Sequence, residues 1–478
     1  GLAFRLPNGR RTGFRRQNKE SRVGWPITKT GFQVDWYPQH CKARVWFSQD
    51  HRSLSVSKFR GIRGMRDLLP AETPLWQFME SRMQEQLYGF GYREIRLPIL
   101  EPTELFARSA GESSDLVSKE MYSFTDRNGD SLTLRPEGTA GCLRASIEHR
   151  LIADKLSRLW YSGPMFRHER PQKGRYRQFS QLGVEATGVA APDIDAELLE
   201  LCWCFWRALG VSDLVTLEIN SLGTLPSRQA YSRALVDYLH RHRQDIDPLS
   251  RERIDINPMR VLDSKNPQTQ EALAGAPVIL DFLDRDSADH FDRLCRLLKD
   301  LEIPFEVNPR IVRGLDYYTR TAFEWTTDQL GAQNAVCAGG RYDDLSELLG
   351  GPPTPAVGFA LGMDRLASMV SLSEPATTAD IYLLALEQSL YSQLLQLARR
   401  LRKAFPHKRV VCSAGSVKIK SAMKQADRSG ALLALLLGEE EVQSGGVSLK
   451  LLREDAVQEL IPLENLEIRV KAELQKAS

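Results

Sequence analysis

A chain of 478 residues can bury a large core and divides most naturally into two or three domains. Its formal net charge of +3 is unevenly placed: residues 1–58 hold twelve Lys/Arg against three Asp/Glu, which leaves the remainder at −6. Any contact of the body with nucleic acid must therefore come from local clusters and not from overall charge. The seven cysteines are dispersed, with no CxxC, and an odd scattered count reads as reduced thiols in a cytosolic protein. No run approaches the ~20 apolar residues of a membrane span, and neither HExxH nor a Walker A loop is present.

Residues 1–58 mix Arg, Gly, Pro and Trp without sustained periodicity and predict no folded domain. Three readings compete: a transit peptide, a basic RNA-binding arm, or translated upstream sequence, with a dispensable extension expected and Val56 a natural start. Gly64–Pro70 (GMRDLLP) leads into an amphipathic helix near 74–88, ended by Gly89-Phe90-Gly91. One long strand is expected over Glu94–Glu101, with Pro98 demoting it to an edge. A hairpin turning at Asn128-Gly129 joins Met121–Phe124 to Ser131–Leu134. Arg135-Pro136-Glu137-Gly138-Thr139 follows, and Thr139 opens a helix to His149, where a helix cap is its plain structural role.

The densest stretch is Phe166–Glu185. In its second half Phe179, Gln181, Gly183 and Glu185 share one strand face, while Ser180, Leu182, Val184 and Ala186 share the other, which suits a core. The first half carries Met165, Arg167 and Glu169 on one face and continues into Arg170, Lys173, Arg175 and Arg177. A solvated hairpin would also alternate, but Pro, Gly and several cations in the loop point to an anion held over a polar floor.

Beyond it, Asp193–Leu209 is a helix with a dense apolar face. A charged helical stretch from Ser227 to about Leu301 reads as an insertion. Val312–Trp325 (VRGLDYYTRTAFEW) is an aromatic and β-branched strand, and Ala338–Asp343 reads AGGRYD. Ala356–Leu366 is a strand with glycines on one face running into a helix that presents Arg365, an arrangement that lets a phosphate approach. After a Ser/Thr/Pro linker near 371–378, strands at 380–386, 409–412 and 431–438 alternate with helices at 390–405 and 417–428. Lys418, Lys420, Lys424 and Arg428 fall largely on one side of the second helix, as a solvated face or an RNA contact would place them.

Taken together these stretches resemble the class II aminoacyl-tRNA synthetases, and specifically the histidyl-tRNA synthetase family, over about residues 59–465. The helix near 74–88 with the strand 94–101 and its proline resembles motif 1, 166–185 motif 2 and 356–366 motif 3, while RGLDYY and AGGRYD resemble signatures of the histidine-specific branch. Two positions depart from the usual pattern, Asp344 for Gly and Asp364 for Glu. The resemblance implies an α+β catalytic core over 59–375, an antiparallel sheet with flanking helices and a helical insertion at about 227–301. An α/β anticodon-binding domain would follow over 376–478.

The resemblance further implies a cytoplasmic homodimer, paired through motif 1, that binds L-histidine, ATP with Mg²⁺ and tRNA(His). Arg167, Arg313 and Arg365 would be catalytic and, with Phe179, would bind ATP, Phe179 stacking on adenine. Glu137, Thr139, Gln181, Glu185, Tyr317, Tyr318 and Tyr342 would form the histidine pocket, with Glu185 and Tyr318 on the imidazole nitrogens. Arg170 and Gln172 would contact tRNA, and no protein-only metal site is implied. Loss of Arg313 would cost roughly 10²–10³ in adenylation, as for other preorganised transition-state donors. A rival is a catalytically silent paralogue serving as regulatory subunit of ATP phosphoribosyltransferase, which would lack catalytic residues and the C-terminal domain.

Overall fold

The structure is a computed structural model that describes residues 59–111, 114–152, 156–170, 174–312, 317–331, 334–372, 377–414, 418–454 and 456–476. The chain divides into two units, residues 1–60 and 61–478, and the expected basic extension lies outside the described residues. The second unit is built on an eight-stranded sheet. Its order is Arg93–Glu94, Ser157–Phe166, Gln178–Thr187, Ala356–Gly362, Ala335–Arg341, Thr319–Thr326, Thr216–Ser221 and Phe305–Val307. All neighbours are antiparallel except at the two edges, where Arg93–Glu94 and Phe305–Val307 pair in parallel.

Alternation along the central strands sorts one face to the core. Leu182, Val184 and Ala186 are buried together with Val357, Phe359 and Leu361 of the neighbouring strand. The helices Thr73–Gly89 and Asp193–Ala208 cover that face through Met79, Met83 and Leu87 and through Leu198, Cys202 and Phe205. The opposite face is left for polar side chains.

The expected single strand at 94–101 is two short ones in different sheets. Arg93–Glu94 joins the large sheet, whereas Leu100–Pro102 edges a three-stranded sheet with Ser131–Leu134 and Tyr122–Thr125. Pro98, which has no N–H, interrupts the ladder, and the Arg135 guanidinium takes the Leu97 carbonyl at 3.2 Å instead. The three-stranded sheet contains the expected hairpin, its turn held by the Asp126 carboxylate accepting from the backbone N–H groups of Asn128 (2.7 Å) and Asp130 (3.0 Å).

The helical stretch expected over 227–301 also divides. Residues from Tyr231 to Ile279 share a core with Ile311, Tyr317, Tyr318 and Tyr342, while the helix Arg285–Asp300 packs Phe291, Leu294 and Leu298 into the core of the large sheet. The inserted bundle is tied at Asp247, whose carboxylate accepts from the Ser250 backbone N–H (3.0 Å) and the hydroxyls of Ser250 (2.6 Å), Thr269 (2.8 Å) and Ser264 (3.1 Å). Those donors hold Asp247 down at about 2, against the opposing effect of burial.

The C-terminal region is a five-stranded sheet ordered Val410–Cys412, Ile381–Ala385, Leu433–Leu437, Gly446–Leu451 and Glu459–Pro462. Its first three strands are parallel, as the alternating pattern predicts, and the last two are antiparallel additions followed by the helix Leu466–Lys476. Among the described residues no helix is long and apolar enough to cross a membrane.

Arg341 of the AGGRYD stretch is a structural residue. It is fully buried against the equally buried Asp195, and also donates to the carbonyls of Val189 (2.9 Å) and Ala191 (3.1 Å) and to Asp343 (3.1 Å). Removing one partner of such a pair leaves a charge stranded in the core. Asp195→Ala is expected to destabilise the protein by about 3–5 kcal/mol, measured by urea unfolding followed through tryptophan fluorescence.

Candidate active site

The polar face of the large sheet forms the floor of a cavity of about 690 Å³. Thr139, Gln181, Tyr317, Tyr318 and Tyr342 line it, together with Arg167, Phe179, Arg175 and Arg365. Of the expected site residues, Glu137 also lines the cavity, whereas Arg170 is an exposed residue away from its wall. Arg313 and Gln172 lie outside the described residues.

The three tyrosines pack against one another, with ring centroids 4.7 Å apart for Tyr317–Tyr318 and 5.6 Å for Tyr317–Tyr342. Gln181 brings a carbonyl oxygen that is buried and has no hydrogen-bond partner, an acceptor left unsatisfied by the protein. Glu137 accepts from the backbone N–H groups of Thr139 (2.5 Å) and Ala140 (3.1 Å), so it caps the first turn of the helix Thr139–Glu148. The sequence offers Thr139 as a pocket residue with a helix cap as its plain structural alternative. Its hydroxyl is instead turned inward, donating to Glu185 at 2.8 Å.

Glu185 is 3 % exposed and does not border the large cavity. It lies one layer behind the wall, where its carboxyl group accepts from the hydroxyls of Thr139, Tyr161 (2.9 Å) and Tyr342. Two of those three, Thr139 and Tyr342, line the cavity, so the carboxyl group fixes hydroxyls at the surface the substrate would meet. Burial raises Glu185 to about 8, the three hydroxyls pulling the other way. Two glycines make the arrangement possible: a Cβ at Gly183 would sit 2.1 Å from Tyr161 Cζ, and one at Gly358 would sit 1.8 Å from Glu185 Oε2.

At the other end the character changes from hydroxyls to cations. The Arg167 guanidinium lies 5.4 Å above the Phe179 ring and is anchored by Nε on the Pro136 carbonyl at 2.8 Å. Arg175 pairs with Glu169 at 2.6 Å. Arg365 donates to the Ala335 carbonyl, and burial first, then the neighbouring Arg175, lower its pKa. The turn Met363–Leu366 that presents it is held by Asp364, which accepts the Ser180 backbone N–H at 2.9 Å.

Sequence reasoning missed several residues here. Tyr161 is one, although the gap it fills was visible as Gly183 directly opposite it in register. Asp263 and Lys265 of the inserted bundle also line the cavity, and nothing in their local pattern marks them. Asp344 has φ −86°, an ordinary value, so the backbone at this position does not require glycine.

A sequence profile described as histidyl-tRNA synthetase matches residues 64–366, and one described as anticodon binding domain matches residues 380–473. The chain belongs to the histidyl-tRNA synthetase family. Among solved structures, apo histidyl-tRNA synthetase from S. aureus is 34% identical, with a TM-score of 0.71 over 86% of this chain and 100% of that one. Histidyl-tRNA synthetase from Nostoc is 19% identical (TM-score 0.64, 87% of this chain and 100% of that one) and shares the fold. A Bacillus halodurans protein described as an ATP phosphoribosyltransferase regulatory subunit/histidyl-tRNA synthetase is 21% identical (TM-score 0.59, 80% and 98%) and likewise shares the fold. The class II synthetase architecture with its C-terminal anticodon-binding domain is thus common to this chain and its relatives.

The raised pKa of Glu185 carries a stability consequence. The folded protein retains a proton that the unfolded chain releases above about 4.5, so this group's contribution is complete below that pH and is lost as pH rises through about 8. Glu185→Gln, which keeps the shape and cannot ionise, is expected to flatten that decline between pH 5 and 8 in unfolding measurements on the two proteins.

Proposed function

We propose that the chain is a histidine–tRNA ligase. It would join the carboxylate of L-histidine to the α-phosphate of ATP with release of diphosphate, then pass the histidyl group to the 3′ end of tRNA(His). The observation that carries this reading is a single cavity with a hydroxyl-rich aromatic end and a trio of arginines, Arg167, Arg175 and Arg365, at the other. Burial and the charges of the neighbouring Arg175 and Arg167 lower the Arg365 pKa, and a polyphosphate would relieve that cost.

The chemistry is an in-line displacement at the α-phosphorus, so the protein needs positioning and cationic stabilisation, with no covalent nucleophile. Arg167, fixed against Phe179, would hold the α-phosphate, Arg365 the terminal phosphate, and Phe179 would support the adenine. Arg313 would stabilise charge developing on the α-phosphate. Carboxylates line the cavity, Glu169 and Glu324 among them, and oxygen donors of this kind would suit a hard Mg²⁺ ion held chiefly by the ATP. When bound, that ion would neutralise charge on the leaving diphosphate.

Tyr318 would meet the imidazole directly, while Glu185 would act on it through the Thr139 and Tyr342 hydroxyls. The unpartnered Gln181 oxygen would take an N–H of the substrate ammonium. Sites that hydrogen-bond their substrate reject analogues lacking those groups by roughly 10⁴–10⁵. Arg170 and Gln172 would contact the tRNA, and the chain would work as a homodimer in the cytoplasm. The regulatory-subunit reading rests on the fold shared with the Bacillus halodurans protein, which carries both names. The retained arginines and the anticodon-binding region over 380–473 favour the ligase.

Purified full-length protein is expected to catalyse histidine-dependent ATP–diphosphate exchange, whereas no exchange from folded protein would favour the regulatory role. Arg365→Ala should lower the exchange rate by roughly 10²–10³. Glu185→Ala should raise the KM for histidine well before that for ATP, and equal increases would remove Glu185 from the histidine pocket.

A further inference from the structure

The GMRDLLP stretch plays no part in the chemistry described so far, yet it touches both ATP-side motifs. Arg66 is two-thirds buried and sits where three segments meet. Its Nη1 donates to Glu72 at 2.6 Å, its Nη2 lies 3.4 Å from Asp364, and its guanidinium lies 5.1 Å over the Tyr176 ring. The second Glu72 oxygen accepts the Leu69 backbone N–H at 3.2 Å, which closes residues 66–72 into a stiff loop. Two residues before Arg66, the Gly64 carbonyl accepts the backbone N–H groups of Arg177 (2.6 Å) and Gln178 (3.3 Å).

These contacts converge on the cavity. Gly174, Arg175, Tyr176, Ser180, Asp364 and Arg365 all line it, and none of the contacts reaches the tyrosine end. Asp364 uses one oxygen for Ser180 and the other for Arg66, so one carboxylate couples the 174–180 segment to the turn carrying Arg365. From this we infer that Arg66 is a positioning residue: it clamps the 174–178 segment to Asp364, so that the phosphate-binding arginines are preformed before ATP arrives. The inference deepens the ligase reading and rests on it for its kinetic part only.

A guanidinium is suited to this place because its planar fork can pair with two carboxylates while its face covers a ring, which an ammonium cannot do. Preforming the site reduces the ordering that ATP binding must otherwise supply. Without the clamp the 174–178 segment keeps its backbone bonds to Gly64 but loses the ring contact and the link to Asp364.

The test uses full-length wild type, Arg66→Ala and Arg66→Lys, with two readouts. Limited trypsinolysis followed by mass spectrometry reports cleavage after Arg175 and Arg177, and needs no enzymatic activity. Arg66→Ala should be cut there about tenfold faster than wild type, the scale of losing one ion pair and one cation–π contact, with Arg66→Lys in between. In histidine-dependent exchange, Arg66→Ala should raise the KM for ATP and leave that for histidine unchanged, with partial recovery in the lysine variant. Unchanged cleavage at both sites would overturn the clamp, as would equal rises in both KM values, which describe general loosening. If wild type shows no exchange, the ligase reading fails, while the cleavage rates still decide whether Arg66 holds the segment.

Discussion

Burial of the Glu185 carboxyl group is the constraint from which the tyrosine end of this site is built. An ionisable group taken out of water needs donors around it or must keep its proton, and Glu185 has both remedies at hand. Three hydroxyls surround it, from a helix start (Thr139), a neighbouring strand (Tyr161) and the residue just past the strand Ala335–Arg341 (Tyr342). Each of those side chains is thereby fixed in direction. The carboxyl group in turn requires that the strand beside it carry glycine at 358, and Tyr161 requires glycine at 183. A substitution at any of these places is felt by the others through one shared cluster, and additivity between them is not to be expected.

The sheet explains why such a cluster can be held so firmly. The strand Gln178–Thr187 lies between Ser157–Phe166 and Ala356–Gly362, both antiparallel to it. Every second residue, Leu182, Val184 and Ala186, is fixed in the main core. A one-residue slip would turn that apolar set toward the cavity, so the core itself locks the register that presents Gln181 and Phe179. Rigidity on one face is what gives positional accuracy on the other.

What could be read from the chain divides along the same line. Alternation made the two faces of 178–187 legible, because period is a local property, whereas Tyr317 and Tyr318 came from the resemblance of RGLDYY to a family signature and lie just before the strand Thr319–Thr326. Contacts set by distant segments were not legible. Glu137 and Thr139 both read as pocket residues, but that Glu137 also caps the helix start, and that Glu185 takes the Thr139 hydroxyl, depends on contacts seen only in the fold. The break in the strand at Pro98 was visible as a proline, but the arginine that takes up the freed carbonyl lies 38 residues along the chain. Likewise the helix 285–300 looks like part of a charged insertion until Phe291, Leu294 and Leu298 are found in the central core.

The arginine end poses the opposite physical problem to the carboxyl end, and the contrast bears on function. At Glu185 the unfavourable burial is answered within the protein, by hydroxyls already in place. At Arg365 the Ala335 carbonyl and the carboxylates of Glu169 and Glu324 offset it, while Arg175 and Arg167 oppose. A protein under no demand to bind an anion would gain stability by replacing one of these three cations with a neutral side chain. Three arginines side by side, next to an aromatic ring and on a wall shared with the tyrosines, suit a ligand that is negative at one end of the cavity and flat where Phe179 lies. The proposed pairing of ATP with an amino acid would meet both ends of that cavity.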